Sequence, residues 1–182
     1  TVAPQGTKSI SIEFACVKPF VDTPQVDIEW RQGDERGHSQ ATELSGDRPH
    51  ITFTTHVVLP IALISFVTPH IMERHAFFEH WHAMRAQPEL EVQYVCRIST
   101  AANSQHLRML REAGFAILDS IDSRPENIVA AGLCCMKKTQ VLVLLRWEPN
   151  QEAQLARLTV RAPDAQVARA IHTSMTRYLE LL

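Results

Sequence analysis

The sequence predicts an α+β chain in two unequal parts, a short run of strands followed by a larger antiparallel sheet with helices packed on it. Apolar residues alternate with a period of two near residues 10–16, 26–30 and 51–59, with no helical stretch between them. Beyond Pro69, two stretches of helical period interleave with five strand-like stretches, and a third helical stretch closes the chain. The composition shifts near Phe66, between Pro60 and Pro69, which places the boundary between residues 1–66 and residues 67–182.

In the first part, Ile10, Ile12, Phe14 and Cys16 share one side of a strand predicted over residues 8–17, and Val26, Ile28 and Trp30 repeat the pattern. Pro19, Asp22 and Pro24 make the connection between them a turn. Residues 31–49 are polar, with Gly33, Gly37 and Gly46, and predict a long mobile loop. Ile51, Phe53, Val57 and Leu59 form a third apolar face. Three strands with one apolar face need a second sheet or a helix to cover them. The chain is therefore expected to be the C-terminal part of a longer polypeptide, with the rest of a first sandwich lying elsewhere.

The second part opens with a helix over residues 72–85. At about 100° per residue, Met72, Ala76, Phe77, His80, Ala83 and Met84 fall on one broad arc, the expected core face, with Trp81 on its rim. Phe78 lies roughly 60° beyond Trp81, among Arg74, His82 and Arg85. A strand follows over residues 90–98, with Leu90, Val92, Tyr94, Cys96 and Ile98 alternating, and then a helix from Asn103 that ends at Gly114. Further strands are predicted at 115–121, 127–136, 139–147 and 154–161. Lys137-Lys138 is short enough for a hairpin turn, and Pro149-Asn150 is read as another turn. Arg157 and Arg161 share one face of the last strand. Pro163-Asp164 opens a terminal helix with the stripe Val167, Ile171, Met175, Tyr178 and Leu182.

Composition removes several function classes. With 45% hydrophobic and 21% charged residues among 182, the chain has enough apolar material for a core. A net charge of -2 offers no field for a phosphate backbone, so nucleic acid is not expected as a partner. The longest apolar run, 57–67, is broken by Pro60 and too short for a bilayer, which predicts a soluble intracellular protein with no membrane insertion. Cys16, Cys96, Cys134 and Cys135 sit in strand-like segments without metal-ligand spacing. His70, His75, His80 and His82 cluster in sequence, but no HExxH or Cys/His pattern completes a tetrahedral set, and a histidine-dependent metalloenzyme is the weakest alternative. There is no nucleophile elbow and no phosphate loop, so neither catalysis nor a cofactor is expected.

What remains is Phe78 and Trp81 together with Arg146, Glu148, Arg157 and Arg161. Aromatics at i and i+3 flanked by charge, bordered by arginine-bearing strands, have the composition of a protein-binding hot spot. Phe77 falls on the core arc, while periodicity leaves open whether a neighbouring strand or loop covers Phe78 and Trp81 or leaves them as an exposed anchor.

Several runs resemble one family. They are Phe77-Phe78-Glu79-His80-Trp81, residues 127–132, Thr139-Gln140-Val141, Leu144-Leu145-Arg146-Trp147-Glu148-Pro149-Asn150 and residues 153–161. They resemble the appendage, or ear, of the alpha-adaptins, large subunits of the plasma-membrane clathrin adaptor. The resemblance covers residues 66–182 and extends more weakly over 8–66. It implies an immunoglobulin-like sandwich, here partial, followed by a platform subdomain. It also implies a hub in endocytosis, cytoplasmic and peripheral at coated pits, that binds short Asp-Pro-Phe, Asp-Pro-Trp or Phe-x-Asp-x-Phe motifs in disordered tails of accessory proteins. Other adaptor subunits would be reached through the missing N-terminal part of the chain. The implied peptide-binding residues are Phe78, Trp81, Arg146, Glu148 and Arg157, with Glu91 as a further acidic residue; the resemblance thus implies that Phe78 and Trp81 are reachable from solvent while Phe77 belongs to the core. The beta-type appendage is the alternative, and Arg146-x-Glu148-Pro149-Asn150 favours alpha. The family's first sandwich strands are absent, so its second peptide site is not transferred. One extra residue lies between Trp81 and Glu91, and Trp147 replaces a smaller apolar residue, where it either packs in the sheet or enlarges the site.

Overall fold

A computed structural model describes residues 9, 11–31, 52–59, 61–98, 103–119 and 121–179. It divides into two compact units, Asp22–Ile61 on one hand and Thr1–Val21 with Ala62–Leu182 on the other. Leu63 and Ile64, 1% and 3% exposed, are core residues of the larger unit, as is Cys16 from the N-terminal segment.

The smaller unit is an antiparallel pair, β1 (Gln25–Arg31) and β2 (Thr52–Val58), in the register Val26↔Val57, Ile28↔Thr55 and Trp30↔Phe53. Trp30 and Phe53 stack with centroids 5.6 Å apart, yet every residue of β2 is exposed, so these strands are not half-buried within the described residues. The expected first strand differs as well. Residues 11–20 run without regular structure, and among the described residues of that pattern Ile12 and Phe14 are exposed and Cys16 is buried. The predicted mobile loop, apart from Arg31, lies outside the described residues.

The larger unit is built on a six-stranded antiparallel sheet in the order β3-β6-β7-β8-β4, with β5 also pairing β6. Its strands are β3 (Val67–Pro69), β4 (Glu91–Arg97), β5 (Ala116–Ile117), β6 (Ile128–Cys135), β7 (Gln140–Asn150) and β8 (Leu155–Arg161). The helices are α1 (Arg74–Arg85), α2 (Asn103–Glu112) and α3 (Ala165–Leu179). The class is thus α+β. Period-two alternation divides the sheet between two cores. Ile128, Ala130, Cys134, Val143, Leu145, Trp147, Ala156, Leu158 and Val160 face the side of α3, joined there by Val167, Ile171 and Met175. Val129, Ala131 and Leu144 face the side of α1, packing with Phe77, Trp81 and Met84.

Local chemistry explains the element ends. The Asp164 carboxylate accepts from the backbone N–H groups of Gln166 and Val167 at 2.8 and 3.1 Å, capping α3. Gly114 follows α2 with φ 86°, and Gly114 N–H and Phe115 N–H donate to the carbonyls of Arg111 and Leu110, both at 3.0 Å, closing the helix with a left-handed residue. A Cβ at Gly114 would stand 2.3 Å from the Val67 carbonyl oxygen, so the site needs glycine twice over. Lys137 and Lys138 form the turn between β6 and β7, closed by Met136 N–H on the Thr139 carbonyl at 2.9 Å.

The predicted turn at Pro149-Asn150 is instead the end of β7, and the chain reverses over residues 151–154, with Gln154 at φ 51°. Ala162 N–H donates to Leu90 and Ile98 N–H to Gln154, so even-numbered residues of β8 turn their backbone groups toward β4 and odd-numbered ones toward β7. Pro149 pairs with Ala156, which directs its nitrogen away from β8, and β6 stops opposite Trp147. Its missing N–H therefore costs no ladder bond.

Candidate functional site

The α1 side of the sheet carries the candidate site. On α1 the buried residues are Phe77, Trp81 and Met84, spaced i, i+4 and i+7. His80 and Ala83, placed on the core arc by periodicity, are exposed. Phe77 is fully buried and stacks on Trp81 with centroids 5.4 Å apart and planes at 18°. Trp81 is only 6% exposed, which corrects the expectation of a solvent-reachable ring. The physical reason lies beneath it. Arg161 on β8, itself 5% exposed, sets its guanidinium carbon 3.9 Å from the Trp81 ring centroid and donates from Nη1 to the Trp81 carbonyl oxygen at 2.5 Å. Its remaining donors engage the Glu91 carboxylate, Nε at 2.5 Å and Nη2 beside it. A cation held this way draws the indole into the protein.

Phe78 is half-buried and keeps an outward edge. Its ring meets Phe77 edge-on at 5.5 Å and lies between the Arg74 guanidinium, 5.8 Å from the centroid, and the His82 ring at 5.9 Å.

Along the sheet beyond Arg161 the same face carries Thr159 and Arg157 on β8, and Arg146 and Glu148 on β7. The register Glu148↔Arg157 places that pair directly opposite each other, and Arg157 binds Glu148 through Nε and Nη2 at 2.8 and 2.7 Å. Arg146 binds Asp122 through Nε and Nη2 at 2.8 and 2.6 Å, and reaches Glu148 with Nη1 at 3.2 Å. Arg146, Glu148 and Arg157 thus come together, while Glu91 is joined to Trp81 through Arg161. Arg157 is the most open of these arginines, with 48% of its side chain exposed and its Nη1 not engaged by Glu148. On the adjoining β4, Gln93 is exposed and Val95 is 57% exposed, so the sheet face stays open past the end of α1.

Asp122 is 6% exposed at its side chain. Burial pushes its carboxyl up, but the Arg124 backbone N–H, the Asn127 side chain and the Arg146 guanidinium outweigh this and hold it below the usual range. Arg161 and Asp122 are the residues missing from the peptide-binding set expected from the sequence. The shared face of Arg157 and Arg161 was the signal for the first; Asp122, in an irregular loop, had none.

Trp147 belongs to the opposite face, 2% exposed and stacked on His106 at 4.8 Å, so it packs in the sheet and leaves the site unchanged. Cys134 also faces that side; burial pushes its thiol up to about 12, which makes it unreactive. Among the described residues, no three His, Cys, Asp or Glu side chains are grouped to hold a metal ion, and no helix is long and apolar enough to cross a membrane.

A family model described as the C-terminal domain of the alpha adaptin of AP2 matches residues 65–179, which include the whole of this face. The chain belongs to the alpha-adaptin C-terminal domain family. The AP-2 complex subunit alpha of Schizosaccharomyces pombe is 31% identical over 140 residues, covering 71% of this chain and 16% of that protein. The AP-2 complex subunit alpha-2 of Dictyostelium discoideum is 24% identical over 183 residues, covering 98% of this chain and 17% of that protein. The chain spans about a sixth of the length of these relatives. For an alpha-adaptin appendage, the ion-pair pattern separates roles: Arg146 and Arg161 hold the architecture with their donors committed, and Arg157 keeps donors toward solvent.

Proposed function

We propose that this appendage binds short Asp-Pro-Phe, Asp-Pro-Trp or Phe-x-Asp-x-Phe motifs in disordered tails of endocytic accessory proteins, as part of a clathrin adaptor at plasma-membrane coated pits. The observation that supports this reading best is the rigid aromatic floor of Phe77 and Trp81 on Arg161, beside an open sheet face where Arg157 presents unused donors. The motif's aromatic ring packs against the outward edge of Phe78 and the rim of Trp81. Its acidic residue takes Arg157, while Glu148 and Arg146 fix that guanidinium in place. A motif proline limits the entropy lost on docking. The contact is well under the roughly 1,200 Å² of a standard interface, so a single motif binds weakly and repeated motifs supply avidity.

In the same reading residues 1–66 are a partial immunoglobulin-like sandwich and residues 67–182 the platform. The exposed Ile28, Trp30, Phe53 and Val57 support an apolar face completed by other strands of the parent polypeptide, through which the other adaptor subunits are reached.

The test is a titration of an Asp-Pro-Phe peptide against its Phe→Ala version, followed by NMR. Shifts confined to residues around Phe78, Trp81 and Arg157, and lost with the Phe→Ala peptide, are expected. Equal binding of both peptides would sink the reading.

A further inference from the structure

The sheet arginines form a closed account of charge. Arg146, Arg157 and Arg161 face Asp122, Glu148 and Glu91, three cations against three anions, so this network draws no acidic ligand from a distance. The outer surface of α1 is different. Arg74 and Arg85 form no ion pair with any described residue, and both are exposed. At about 100° per residue, Arg74, Arg85, Phe78 and His82 fall within an arc of roughly 80° that begins about 20° past Trp81. Arg74 and His82 flank the Phe78 ring from either side. The stripe is a ridge of two unneutralised guanidiniums and an imidazole around an aromatic edge, running beside the proposed peptide site. Glu79, the acidic residue nearest to it on α1, lies roughly 60° beyond His82 on the wheel.

We propose that this ridge is a second subsite that receives acidic residues flanking the aromatic motif in the same peptide. This rests on the motif-binding reading above and extends it by naming the flanking chemistry. From Arg74 to Arg85 the helix rises about 16 Å, the span of roughly five extended peptide residues. A flank with two or three carboxylates therefore reaches both guanidiniums while the motif's ring rests at Phe78. The attraction is exposed to solvent and screened by salt, so it adds to the core contact without replacing it.

The experiment compares an Asp-Pro-Phe peptide with neutral flanks and the same peptide with glutamates on both sides, against the native protein and an Arg74→Gln/Arg85→Gln variant. Both substitutions are at exposed positions, and circular dichroism confirms the fold. The acidic flanks should tighten binding to the native protein about two- to tenfold relative to the neutral peptide, and that ratio should fall to one in the variant and at high salt, whatever small change the loss of Arg74 beside Phe78 makes to both peptides alike. The same gain in the variant, or none in the native protein while the neutral peptide binds, overturns the ridge and leaves the motif site standing. If the neutral peptide does not bind, the motif reading itself fails and the ridge falls with it. A third arm uses vesicles containing phosphatidylserine. Loss of vesicle binding in the variant without any flank effect would assign the ridge to a lipid surface and refute an acidic peptide.

Discussion

The guanidinium of Arg161 lies against the Trp81 ring, 3.9 Å from its centroid, and hydrogen-bonds the carbonyl of the same tryptophan. One β8 side chain thereby fixes both the ring and the backbone of an α1 residue. Glu91 completes the clamp from β4.

Removing that cation should loosen α1 from the sheet. Arg161→Gln leaves Glu91 short of its partner and the Trp81 carbonyl short of a donor, both in a water-poor site. A loss of about 3 kcal/mol is expected, read from urea denaturation, together with increased exposure of Trp81 by fluorescence quenching. Arg161→Lys should restore only part of it, because an ammonium cannot serve the ring, the carbonyl and the carboxylate in one plane. A variant within about 0.5 kcal/mol of the native protein, less than the usual yield of one hydrogen bond, would contradict the clamp.

Mild acid should weaken the fold through His106. Burial pushes its imidazole below its usual value of 6.5, and Nδ1 has no hydrogen-bond partner among the described residues. A base with a lowered folded-state pKa contributes its full stability above the unfolded value, and that stability declines as pH falls below about 6.5. His106→Phe keeps an aromatic ring against Trp147 and removes the titrating group. The variant's urea midpoint should therefore fall less between pH 7.5 and pH 5 than that of the native protein. Parallel losses in both proteins would place the acid sensitivity elsewhere, with His172, also lowered by burial, the next residue to substitute.

Gly114→Ala should be costly for two reasons that add. The left-handed backbone disfavours a side chain, and the new methyl meets the Val67 carbonyl. About 2 kcal/mol or more is expected, measured at equilibrium in urea. A near-neutral substitution would mean that β3 yields easily to α2.

Most of the larger sheet was legible because alternation survives burial: Val92, Tyr94 and Cys96 turn to the α3 side as their spacing predicts. The face of α1 was less legible. A helical wheel weighs all apolar positions alike, and it cannot know that Arg161 waits across the interface to receive Trp81 and pull the buried arc toward it. Pro149 misled for a related reason, since a proline breaks a ladder only where its nitrogen faces a partner. At the site, Arg146, Glu148 and Arg157 were readable from strand period and motif. Asp122 was not, because its role depends on a loop folding back over β7. The alternation read over residues 8–17 forms no strand among the described residues, where Cys16 is anchored to the core while Ile12 and Phe14 are exposed.

The last residues of β7 extend past β6 with one lateral side unmatched, and a strand rim of that kind invites a foreign chain to add itself by backbone hydrogen bonding. Pro149 stands on that rim with its nitrogen directed outward. Having no hydrogen to offer, it denies a would-be intermolecular strand its first donor. The exposed end of β7 is thereby protected from edge-to-edge pairing with a second chain at that rim.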